Sequence, residues 1–99
     1  MIKISYKKEN LIKEIKIEGH AFFAESGKDI VCAAVSTMAT TTINNILALD
    51  KNAINYEIDD AFILISNKDN EMASTLLETM ITMLEELQSN YPKNIKIGG

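Results

Sequence analysis

The chain has 99 residues, a formal net charge of -4, one cysteine and one histidine. This length suits a single domain that buries about two-thirds of its unfolded surface, and a lone cysteine excludes an intrachain disulfide. The acidic balance argues against a phosphate-backbone binder, which would carry a basic face, so no direct nucleic-acid partner is expected.

Taken from its start, MIKISYKKEN lacks the apolar core of a signal peptide. No later run is expected to approach the ~18 apolar residues of a membrane span. A soluble cytoplasmic protein with no membrane partner is therefore predicted, in a compartment that keeps a free thiol reduced. Ile2, Ile4 and Tyr6 alternate with Lys3 and Ser5, and Leu11, Ile15 and Ile17 interleave with Glu14, Lys16 and Glu18. With Lys7 to Asn10 as a polar turn, this spacing predicts a β-hairpin that buries one face.

A loop punctuated by Gly27 follows, and residues 20–28 form a candidate lid. Asp29 has the residue type and place of an N-cap for a helix reaching about Leu49. Its predicted buried stripe is Val31, Val35, Met38, Thr42, Ile46 and Leu49, with Cys32 and Ser36 at the stripe's edge. Ile54, Tyr56 and Ile58 alternate with polar residues, Asp59-Asp60 turns, and Phe62 to Ile65 returns as a strand apolar on both faces. That doubly apolar strand suits a central position or a self-association surface. Asn67 to Gln88 reads as a second helix with Met72, Leu76, Met80, Met83, Leu84 and Leu87 on its apolar face. Tyr91-Pro92 ends it, and Ile95 and Ile97 suit a short last strand. The order ββαββαβ predicts one α+β domain over residues 1–99, with two helices packed on one side of a mixed or antiparallel sheet.

The chemistry concentrates in GHAFFAESGKDIVCAAVS, residues 19–36, which contain both the histidine and the cysteine. If Asp29 caps the helix, Cys32 lies in its first turn, where unpaired amides favour thiolate over thiol, and Lys28 adds positive charge. His20 is the residue type that takes a thiol proton and returns one to a leaving group. Continued strand alternation would aim His20 with Glu14, Lys16 and Glu18, but Gly19 just before it breaks that geometry. Asp29 has two available jobs, capping and orienting the imidazole, of which capping comes first. Ser36 stands one helical turn beyond Cys32, within reach of the thiolate or a substrate. Free first-turn amides are candidate oxyanion donors. On residue types alone, Cys32 is also compatible with a small buried hydrophobe, His20 with a surface residue, and Ser36 with an ordinary helix residue. One histidine and one cysteine without clustered ligands suggest neither a metal site nor a cofactor.

GHA at 19–21, Ala24, Gly27 and DIVCAAVS at 29–36 resemble the signature of the bacterial ribosomal-processing cysteine protease Prp family. The resemblance implies a catalytic dyad of His20 and Cys32, with Asp29 and Ser36 matching the motif's aspartate and serine. It also implies a homodimer whose substrate is a large-subunit ribosomal protein, from which a short N-terminal extension is removed before ribosome assembly. Phe22, where glycine is common, and Ser26, where an aromatic or histidine is frequent, depart from the family pattern and bear on substrate detail. The family's cleavage site is implied to be two phenylalanines followed by a small residue. Phe22-Phe23-Ala24 repeats that order in the candidate lid, either by coincidence, with the rings simply packing the lid, or so that they fill the substrate's pocket at rest. A non-catalytic factor that binds a ribosomal protein and a Cys-His acyl-transfer enzyme acting on small thioesters are the competing functions.

Overall fold

The computed structural model describes residues 1–21, 24–25 and 29–98. Seven elements follow in the expected order: β1 (Ile2–Glu9), β2 (Leu11–Glu18), α1 (Ile30–Leu49), β3 (Ile54–Asp59), β4 (Phe62–Asn67), α2 (Glu71–Asn90) and β5 (Ile95–Gly98). The strands form one mixed sheet in the order β3-β4-β2-β1-β5, in which only β1 and β5 pair in parallel. Ile4 pairs with Ile17, Ile17 with Ile63, Ile15 with Ile65, and Ile2 with Ile95, so isoleucines align across four strands. All of these are buried, as are the inward residues of both helices, whereas Lys3, Ser5 and Lys7 of β1 face solvent. One face of the sheet thus carries the core, with both helices on it.

The first hairpin departs from the expected polar turn. β1 continues to Glu9, and the chain reverses at Asn10, whose φ of 67° suits a residue that tolerates the left-handed region. The register shifts between Lys7 and Lys8: Lys7 pairs with Glu14, but Lys8 pairs with Ile12. The extra residue, Lys13, reverses side-chain parity, so Ile12 enters the core in place of Leu11. A strand read by strict alternation cannot reveal such a bulge.

In α1 the buried stripe is Val31, Val35, Ala39, Ile43 and Ile46. Ala39 and Ile43 take the central places expected of Met38 and Thr42, which are only half-buried. Leu49 shares the phase of Val31 but is 68% exposed, because the last turn overhangs the elements that cover the stripe. Contrary to the sequence expectation, this uncharged 20-residue helix is long and apolar enough to cross a membrane by length and composition. A core helix passes the same test, and five of the twenty residues here are buried in the core.

β4 is central, between β3 and β2, which accounts for its apolar residues on both faces. β3 is the sheet edge. Tyr56 and Ile58 share the inner face with their partners Ile65 and Ile63, yet they are 50% and 51% exposed, whereas Ile54 at the start of the strand is buried. α2 begins later than expected, with Asn70 as N-cap accepting the Ala73 N–H at 2.9 Å, because Asn67 closes β4 and bonds the intervening turn. Its buried face is Ala73, Ser74, Leu77, Met80, Ile81 and Leu84. Met72, Leu76 and Leu87 flank this face and Met83 is exposed, since small residues at 73 and 74 bring the helix close to β2. At that approach the buried Ser74 hydroxyl accepts the Ile12 N–H at 2.9 Å. Farther along, Glu78 pairs with Lys8 at 2.9 Å, and this hydrogen bond, with the carboxylate's charge, raises the lysine's pKa.

The Ser74 contact makes a direct prediction. Ser74→Ala leaves a buried backbone donor without its partner, and urea unfolding should show a loss of about 1–3 kcal/mol.

Candidate active site

Asp29 meets the expectation of a helix cap. Its Oδ1 accepts the Val31 and Cys32 amides, each at 3.0 Å, and its carbonyl accepts the Ala33 N–H at 3.1 Å. Cys32 is therefore the third helical residue, held at the start of α1 and partly exposed. The same bonds narrow one expectation: the Val31 and Cys32 amides are occupied by the capping carboxylate, so they are not among the free first-turn amides. Among the described residues, the main-chain donor that reaches the sulfur is the Ala21 N–H, 3.2 Å from Cys32 Sγ.

Gly19 brings the chain to that point. β2 ends at Glu18, and Gly19 takes a φ of +95°, which breaks strand alternation before His20. A side chain is also excluded there by contact, since a Cβ would lie 2.5 Å from the Met1 carbonyl oxygen. The Gly19 N–H donates to the Ala61 carbonyl at 2.9 Å, tying this bend to the β3–β4 turn. One residue past the histidine, Ala21 is buried, and its carbonyl accepts the side-chain N–H of Asn94 at 2.9 Å.

His20, Cys32, Ser36 and Gly19 line one cleft of about 290 Å³. Ile17, Ile58 and Ile63 supply its apolar walls, and Asp59 at the end of β3 and Asp60 of the β3–β4 turn also line it. Asp29 is not among its lining residues and acts by positioning the helix. A second hollow of about 300 Å³ between the helices is lined by threonines, methionines, Asn45 and Leu76, and offers no acid, base or thiol. The described histidine and cysteine both line the cleft and neither lines this hollow. Among the described residues, no group of three or more His, Cys, Asp or Glu is placed to hold a metal ion. Phe22, Phe23, Ser26, Gly27 and Lys28, and with them most of the candidate lid and the pocket-filling Phe22-Phe23 pair, lie outside the described residues.

Sequence reasoning missed the Ala21 amide, the Asn94 side chain and the Ala61 carbonyl. None carries a reactive group, and Asn94 lies 73 residues from the atom it bonds. The GHA motif was the available signal for Ala21; nothing local marks Asn94 or Ala61.

Two substitutions separate cap from bend. Asp29→Ala should destabilise the protein by about 1 kcal/mol, with Asp29→Asn recovering most of it, both read from thermal unfolding. Gly19→Ala should cost more than Asp29→Ala on the same scale, because backbone must move and φ is unfavourable.

The cysteine protease Prp family matches residues 1–96. The chain is 30% identical to the ribosomal processing cysteine protease Prp of Staphylococcus aureus over 100 residues, covering 97% of this chain and 94% of that protein. A crystal structure of the S. aureus protease with a covalently linked product peptide superposes with a TM-score of 0.91 at 29% identity, covering 99% of this chain and 98% of the other. The S. aureus protease with a substrate peptide gives 0.86 at 27% identity, with the same coverage. With its ββαββαβ fold shared by those structures and its sequence matched almost end to end, the chain belongs to the family of ribosomal processing cysteine proteases.

Proposed function

We propose that this protease removes the short N-terminal extension of a large-subunit ribosomal protein before ribosome assembly, using His20 and Cys32 as a catalytic dyad. The observation that carries the reading is the meeting of the only histidine and the only cysteine in one cleft. The covalently linked product peptide of the S. aureus relative supports a mechanism through an acyl-enzyme. Cys32 as thiolate attacks the scissile carbonyl carbon, forming a C–S bond and an oxyanion. The oxyanion collapses, the C–N bond breaks, and protonated His20 gives its proton to the departing amine. Water then adds to the thioester with His20 accepting its proton, and the C–S bond breaks to release the carboxyl product and restore the thiolate. Ser36 stands in the cleft one turn from Cys32, in place to contact the sulfur or the substrate.

The isoleucine walls suit the pair of phenylalanines that the resemblance implies at the cleavage site. Ile58 is a wall that folding leaves half-exposed, so a substrate side chain gains by covering it. The enzyme acts as a homodimer in the cytoplasm, where its thiol remains reduced.

Incubation with the extended ribosomal protein tests the reading. Wild type should shorten it, whereas Cys32→Ala and His20→Ala should each lose cleavage by about three orders of magnitude or more with the fold retained. A Cys32→Ala variant that cleaves normally would overturn the dyad. A wild type that binds without cleaving would point to the assembly-factor alternative. Ile58→Ser should raise KM by about 3- to 10-fold while leaving unfolding nearly unchanged, because this side chain is already half in water.

A further inference from the structure

We propose that Asn94 is a positioning residue for this reaction: its side-chain amide holds Ala21 so that the Ala21 N–H points at the sulfur of Cys32. The inference rests on Cys32 being the nucleophile. Its geometry is a two-step relay, with Asn94 Nδ2 donating to the Ala21 carbonyl at 2.9 Å and the Ala21 N–H reaching Cys32 Sγ at 3.2 Å. Both polar groups of one buried residue are thus committed, one to an anchor and one to the reacting atom. With Asp29 occupying the Val31 and Cys32 amides, this N–H is the described main-chain donor that meets the sulfur. A donor at that distance hydrogen-bonds the atom on which negative charge sits when the nucleophile attacks. As the C–S bond forms, negative charge moves from sulfur to the adjacent carbonyl oxygen, and a donor fixed beside the sulfur is close to that oxygen.

The placement of Asn94 makes its side chain separable from the fold. Its N–H donates to the Tyr91 carbonyl at 3.0 Å, and its carbonyl accepts the Ile2 N–H at 2.8 Å. Both bonds belong to the main chain and are available to any residue except proline, whose N–H is missing. The anchoring of Ala21 depends on the side chain. Asn94→Asp keeps the shape but, when ionised, faces the Ala21 carbonyl with an acceptor; Asn94→Ala removes the donor without adding charge.

Two readouts on the full-length protein decide the matter: steady-state cleavage of a peptide spanning the extension junction, and iodoacetamide alkylation of Cys32 at pH 7 and pH 10. Asn94→Asp should lower kcat by about tenfold and Asn94→Ala by about threefold, with KM within about twofold of wild type. Alkylation at pH 7 should slow by about the same factors, while the rate at pH 10, above the ordinary range of cysteine thiols, stays close to wild type. Unchanged kcat and unchanged neutral-pH alkylation in both variants would overturn the proposal. So would a kcat loss that only follows a lowered Tm while alkylation of the folded protein is unaltered. Alkylation reads the thiol without turnover, so it tests Asn94 even if the chain cleaves no peptide; cleavage by Cys32→Ala would separately defeat the protease reading.

Discussion

Two amides at the start of α1 close on a single carboxylate oxygen of Asp29, and the position of the Cys32 sulfur depends on that closure. The capping bonds fix where the helix begins, and Cys32 rides on the first turn they define. The same residues that begin the helix also continue into its core stripe, since Val31 and Val35 are buried on either side of Cys32 in sequence. The thiol is held by a backbone anchored by its cap and by the sheet. The arrangement has a chemical consequence. A carboxylate that satisfies the Val31 and Cys32 amides withdraws them from other acceptors, and the described N–H that meets the sulfur comes from the segment after β2.

That segment reaches the sulfur through contacts with three distant parts of the chain. Gly19 fits against the Met1 carbonyl and bonds the Ala61 carbonyl of the β3–β4 turn, and Ala21 is bonded by Asn94 at the entry to β5. Asn94 in turn accepts the N–H of Ile2, the first residue of β1, so the two parallel strands at one edge are joined where the active segment passes. Pre-organisation of this kind places donors before substrate arrives, so less reorganisation is needed during the reaction. The edge strand β3 contributes Ile58 to the cleft, and because this side chain is half-exposed it remains available as a wall of the cavity that Cys32 also lines.

Much of this architecture was legible from residue order. Asp29 before an apolar run marked the helix start, and isoleucines at alternating positions marked the strands that carry the core. The errors were of phase and edge. The bulge at Lys13 exchanged Leu11 for Ile12, and small residues Ala73 and Ser74 displaced larger side chains from the centre of α2. β3 alternated as a half-buried strand should, yet Tyr56 and Ile58 lie half in solvent. Each error has the same origin: periodicity reports which residues share a face, but what covers that face depends on other elements.

The sequence by itself determined the order of elements, the cap, and the pairing of one histidine with one cysteine in a short motif, because these depend on local propensity and residue chemistry. Tertiary structure alone decided that both residues line one cleft, that the Ala21 amide meets the sulfur, and that Asn94 anchors it across 73 positions of chain. Those contacts arise from sheet registration and from a left-handed bend packed against Met1. They join residues remote in sequence, and no local pattern encodes the distance between two such residues.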